Sequence, residues 1–138
     1  MSEELSSIIE YSEDITDAEP PPPLPARDYP AEIISAQPRM SQKDTKYTNV
    51  GWLIAPENFP ADFDASAYPD GLIVYQAVGG EDNPTARFRL RMFCEAIGAT
   101  MGRVIDVNDW IGLNAVITLD VDVYEGIPRN RVRRVVAA

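Results

Sequence analysis

Residues 111–137 read IGLNAVITLDVDVYEGIPRNRVRRVVA, and the alternation in this stretch decides the fold class. Ala115, Ile117, Leu119, Val121 and Val123 fall on one side of an extended chain, and Thr118, Asp120, Asp122 and Tyr124 fall on the other. That is the period of a half-buried strand, here of unusual length. EGIPRN turns the chain and RVRRVVA returns beside it, so the segment is a hairpin. In the returning strand Arg129, Arg131 and Arg133 point to one side, with Asn130, Val132, Arg134 and Val136 on the other.

Working upstream, TARFRLRMFCEAIG (85–98) switches to helical spacing, with Ala86, Leu90, Phe93, Cys94 and Ile97 on one face. Asn83 stands as its cap, Pro84 as its first residue and Gly98 as its left-handed terminator. GLIVYQAV (71–78) supplies a strand before it. Further back, KYTNVGWLIAP places Thr48, Val50, Trp52 and Ile54 on one face until Pro56 closes the run. DYPAEIISAQPRM (28–40) is another strand, joined to it by the polar loop SQKDTK. Residues 57–70, rich in Pro, Asp and small side chains, read as a long loop. The succession strand, strand, strand, helix, strand, strand predicts a mainly β protein with one helix, a five-stranded OB-fold-like barrel over residues 28–138.

Charge divides the chain. Residues 1–26 hold seven acids and no base, and residues 27–138 hold fifteen acids against twelve bases, so the formal charge of -10 belongs mostly to an acidic tail over residues 1–19. Five prolines between Pro20 and Pro25 favour an extended polyproline segment, read as a linker over residues 20–27. Leu5, Ile8, Ile9 and Tyr11 leave two readings of the tail open: plain disorder, or a short amphipathic helix on a partner. The chain has no histidine and one cysteine, which removes zinc chemistry, Cys-His pairs and the Ser-His-Asp triad. Cys94 reads as a small buried hydrophobe. Asp62 with Asp64, and Asp106 with Asp109, lie in loop-like sequence and read as solvated; the glycines at 79 and 80 form a turn. No catalytic residue, metal or cofactor is assigned. No apolar run approaches the roughly 18–20 residues of a membrane helix, and the N-terminus lacks a basic signal-peptide start, so a reducing cytoplasm is the expected compartment.

Candidate nucleic-acid contacts follow from the barrel. Oligonucleotides bind such folds on the face of strands two and three and on the loops between strands one and two and strands four and five. Lys43 and Lys46 occupy the first loop; Tyr47 and Tyr75 lie on strands two and three; Tyr124, Arg129, Arg131 and Arg133 belong to the last hairpin. Aromatic faces stack bases, and the flat guanidinium fork matches phosphate. The alternative reading of the arginines is a solvated edge paired with Asp120 and Asp122. Trp52, sharing its face with Val50 and Ile54, reads as core.

The segments FRLRMFCEAIGA, DVNDWIGLNAVITLDVDVYEG and PRNRVRRV, with RMSQKDTKYTNVGWLIAP upstream, resemble a family of small phage-encoded proteins associated with single-stranded DNA binding and recombination. The resemblance runs from about Asp28 to Val136, and Trp110, Gly112, Tyr124, Gly126, Arg129, Asn130 and Val132 match its pattern. It implies a non-catalytic binder of single-stranded DNA in replication or recombination, placed in the host cytoplasm. Single-strand binders usually carry their acidic tail at the C-terminus; here the acids are N-terminal, where they suit docking on replication or recombination proteins. The second expectation is a protein-interaction or virion component whose acidic arm docks on a neighbouring subunit. Mimicry of DNA is disfavoured by the concentration of acids in the tail. Self-association through edge strands is left open by the sequence.

Overall fold

The computed structural model describes residues 6–138. Strand β1 (Asp28–Met40) is its spine. Tyr29, Ala31 and Ile33 alternate inward, and a bulge between Ile33 and Ser35 inserts one residue, so the next inward side chain is Ala36. The first five residues of β1 pair antiparallel with β4 (Asn114–Tyr124), and from Glu32 onward β1 pairs with β2 (Lys46–Ile54). β2 pairs with β3 (Leu72–Val78), and β4 with β5 (Ile127–Val136). The result is one antiparallel sheet of five strands in the order β3-β2-β1-β4-β5. β3 and β5 end the order; they come within contact distance but share no ladder.

The helix α1 (Pro84–Ile97) starts and stops as its sequence demands. Asn83 Oδ1 accepts a hydrogen bond from Ala86 N at 2.8 Å, and Gly98 takes a left-handed conformation at φ 73° that a β-carbon would disfavour. Phe93, Cys94 and Ile97 bury its inner face. Phe93 meets Trp52 edge-on at 6.3 Å and Trp110 at 5.1 Å, so helix, β2 and the turn Val107–Trp110 share one aromatic knot. Trp52 is fully buried and donates from Nε1 to Gln76 Oε1 at 3.0 Å, which satisfies its polar edge inside the core. Burial pushes the Cys94 thiol up from its ordinary value.

Three sequence expectations change. The hairpin turn is just Glu125–Gly126, both at positive φ, and Ile127 and Pro128 already belong to β5; Pro128 is tolerated because β5 is an edge. Val121 and Val123 do not bury: the β4–β5 hairpin runs past the core, and Val123 is 67% exposed. The long loop expected over residues 57–70 is present; it holds the 3-10 turn Ala65–Ala67, follows on from the turn Pro56–Asn58, and carries a cluster in which Phe63 and Tyr68 stack with Phe59 edge-on to both.

The proline segment is the third change, for it is no free linker. Leu24 is fully buried, its N–H donates to Asn130 Oδ1 at 2.9 Å, and its carbonyl accepts from Asn130 Nδ2 at 2.8 Å. The amide of one β5 side chain thus mimics a strand partner for a backbone that prolines keep out of any ladder. Tyr68 adds a hydrogen bond from its hydroxyl to Pro22 O at 2.6 Å. In the arm, Ile8, Ile9 and Tyr11 are exposed and not helical; Leu5 lies outside the described residues. Among the described residues no helix is long and apolar enough to cross a membrane.

Candidate nucleic-acid interface

Where β3 and β5 face each other, the sheet leaves a groove of about 480 Å³. Leu72–Tyr75 form one wall, Ile127–Arg131 the other, and Pro20, Pro21 and Pro23 run along it. Tyr75, Arg129 and Arg131 therefore come together, as the strand order brings the two edges of the sheet side by side.

Tyr75 owes its position to a glycine. Gly51 is its partner on β2, and a β-carbon there would lie 3.2 Å from Tyr75 Cε1 and 2.3 Å from Ser35 Oγ. The phenol ring leans over the missing side chain and remains 58% exposed, a flat aromatic surface open to solvent. At the hairpin end Arg129 lies over the Tyr124 ring, its Cζ 4.5 Å from the centroid.

The carboxylates of β4 answer these arginines. Arg129 Nε donates to Asp122 Oδ1 and Arg131 Nη2 to Asp120 Oδ2, each at 3.2 Å, because the register sets Asp122 opposite Arg129 and Asp120 opposite Arg131. The pairing read as the alternative from sequence is present. A hydrogen bond from Val121 N, then the one from Arg131, hold the Asp120 carboxyl below the usual carboxylate range. All four side chains keep substantial solvent exposure, and each guanidinium uses one of its five donors on its carboxylate. An exposed pair of this kind contributes about 0–1 kcal/mol, so each guanidinium leaves its carboxylate at small cost.

The expected row of three arginines is broken. Thr118 pairs with Arg134 and Leu119 with Val132, so Arg133 is the extra residue of a bulge, and Val132 and Val135 both pack on the core three positions apart. Arg133 and Arg134 instead flank a separate shallow recess with Thr118. Lys46 and Tyr47 line a different hollow, near Trp110 and the end of β3, and Lys43 is exposed on the β1–β2 loop. Alternation and charge do not mark Gly51 or the proline wall as site elements; a glycine interrupting a strand of branched and aromatic residues is the signal that marks such a close approach. Among the described residues no three His, Cys, Asp or Glu side chains gather as a metal site. No protein-family model matches this chain, and no curated protein matches it.

Proposed function

We propose that the protein is a non-catalytic single-stranded DNA-binding protein of the phage type, built on an OB-like barrel and acting in replication or recombination. The strand order, with β1 shared between β2 and β4 and with β3 approaching β5, supports the barrel reading. The observation that carries the functional reading is the groove in which exposed Tyr75 faces Arg129 and Arg131. Tyr75 stacks a base, Arg129 and Arg131 exchange their carboxylates for phosphates, and Tyr124 with Arg129 extends the path along the projecting hairpin. Stacking on one aromatic is worth about 1–3 kcal/mol, and each phosphate contact on a single strand contributes about 0.7 to the slope of log affinity against log salt.

Titration of fluorescent oligo-dT at rising salt tests this. Binding that weakens with salt is expected, with affinity falling about 5- to 150-fold in Tyr75→Ala and the slope flattening by about 0.7 for each of Arg129→Ala and Arg131→Ala. Absence of binding at low salt, in the full chain and in a chain with its acidic arm neutralised, ends the reading. The exposed apolar side chains of the arm favour a second reading, an interaction or virion component. Fixed copy number in purified particles, with no oligonucleotide binding, would select it.

A further inference from the structure

The other half of β3 carries a surface that nucleic-acid binding leaves unused. Past Tyr75, two hollows of about 470 and 540 Å³ adjoin across Val78 and Leu90. Phe93 and Trp110 extend their apolar lining. Arg89 stands on one and Lys46 on the other, and among the described residues neither forms an ion pair, whereas Arg87 and Arg91 of the same helix are held by Asp82 and Glu95. Of the acids that share these hollows, Glu81 accepts from Asn83 Nδ2 and Asp106 from Asn108 N, and neither pairs with Arg89 or Lys46.

The same chain carries a segment of complementary chemistry. Within residues 6–19 all charges are acidic (Glu10, Glu13, Asp14, Asp17, Glu19), and Ile8, Ile9, Tyr11 and Ile15 are each at least 67% exposed. Isoleucines and a tyrosine held in water gain about 1.5–3 kcal/mol each when buried. An acidic apolar arm that covers nothing, and an apolar hollow with two free cations that nothing covers, occur in one molecule.

We propose that the arm of one copy docks into the paired hollow of a second copy, with Ile8, Ile9 and Tyr11 entering across Val78 and Leu90 and with Glu10 and Glu13 meeting Arg89 and Lys46. The twelve residues from Ile8 to Glu19, extended, span about 36–40 Å from first to last Cα. That exceeds the roughly 13 Å radius of gyration of a domain this size, so the arm reaches a neighbour after leaving the clasp at Leu24. A second copy is the occupant because its arm carries the matching chemistry, exposed Ile8, Ile9 and Tyr11 for the apolar lining and acids for Arg89 and Lys46. The contact is one-way, arm to hollow, so each docked copy presents a free hollow at one end and a free arm at the other. Copies join head to tail.

Light scattering and sedimentation of the full chain, without nucleic acid, test this at low and high salt over a wide range of concentration. The expected result is mass that grows with concentration and shrinks with salt. Association weakens at least about tenfold in Ile9→Ser/Tyr11→Ser and in Lys46→Glu/Arg89→Glu. Mixing Lys46→Glu/Arg89→Glu protein with Glu10→Arg/Glu13→Arg protein restores it. A monomer at every concentration overturns the proposal, as does association indifferent to Lys46 and Arg89. Because no oligonucleotide is present, loss of DNA binding and loss of assembly are read separately.

Discussion

Replacing Leu24 by alanine should destabilise the whole domain, although the residue lies among prolines before the first strand. Its side chain is fully buried in the core cluster, and truncation of a buried leucine costs about 2–5 kcal/mol. Asn130 holds the same point by two hydrogen bonds, each worth about 0.5–1.5 kcal/mol, so Asn130→Ala should cost about 1–3 kcal/mol. With a urea slope near 2 kcal/mol/M, the Leu24 change moves the unfolding midpoint by roughly 1–2.5 M and the Asn130 change by roughly 0.5–1.5 M. Once Leu24→Ala has let the strap loosen, Asn130 has less left to hold; the double variant should fall short of the sum by at least about 0.5 kcal/mol. Asn130→Asp keeps the acceptor but sets a second oxygen against the Leu24 carbonyl, and should be worse than alanine. A Leu24→Ala protein within about 0.5 kcal/mol of the parent, or strict additivity of the two changes, would show that the strap is not part of the folded unit.

Gly51→Ala forces a β-carbon against Ser35 Oγ and the Tyr75 ring; oligonucleotide affinity should drop towards that of Tyr75→Ala, and Ser35→Ala should recover stability without recovering affinity. Asp120→Asn and Asp122→Asn, which free Arg131 and Arg129, should tighten oligonucleotide binding roughly three- to tenfold at low salt, whereas weaker binding would mean the pairs orient the arginines. The Asp120 carboxyl is held down by the Val121 N–H and Arg131, so its stabilising contribution is whole above the ordinary carboxylate range and is lost as pH falls through the lowered value. Acid unfolding of Asp120→Asn should accordingly show less loss of stability below about pH 4. Cys94, buried and with its thiol pushed up, should resist alkylation in the native protein and react as urea unfolds it; prompt labelling of folded protein would contradict that burial.

The strands and the helix were legible because their signals are local. Asn83, Pro84 and Gly98 punctuate α1 by their own backbone chemistry, and Val50, Trp52 and Ile54 mark the inward face of β2 by alternation alone. What failed depends on partners distant in sequence. Alternation in β4 cannot tell that Val121 and Val123 overrun the core, because the end of the core is set by α1 and β1. The bulge at Arg133 arises from the register against Thr118 and Leu119 and the demand that Val132 and Val135 both pack inward; arginine spacing carries no trace of it. Leu24, one apolar residue in a proline run, has no periodicity to betray it. Of the candidate contacts, Tyr75, Arg129 and Arg131 meet because β3 and β5 are opposite edges of one sheet, while Lys46 and Tyr47 line another hollow.

The span between Leu24 and Asn130, 106 residues, bears on how the protein is made. At about 5–20 residues per second a ribosome delivers Asn130 some 5–20 s after Leu24, so the leucine waits in the growing chain with neither its amide nor its carbonyl answered. Closure is therefore deferred until β5 emerges and latches the proline strap to the sheet.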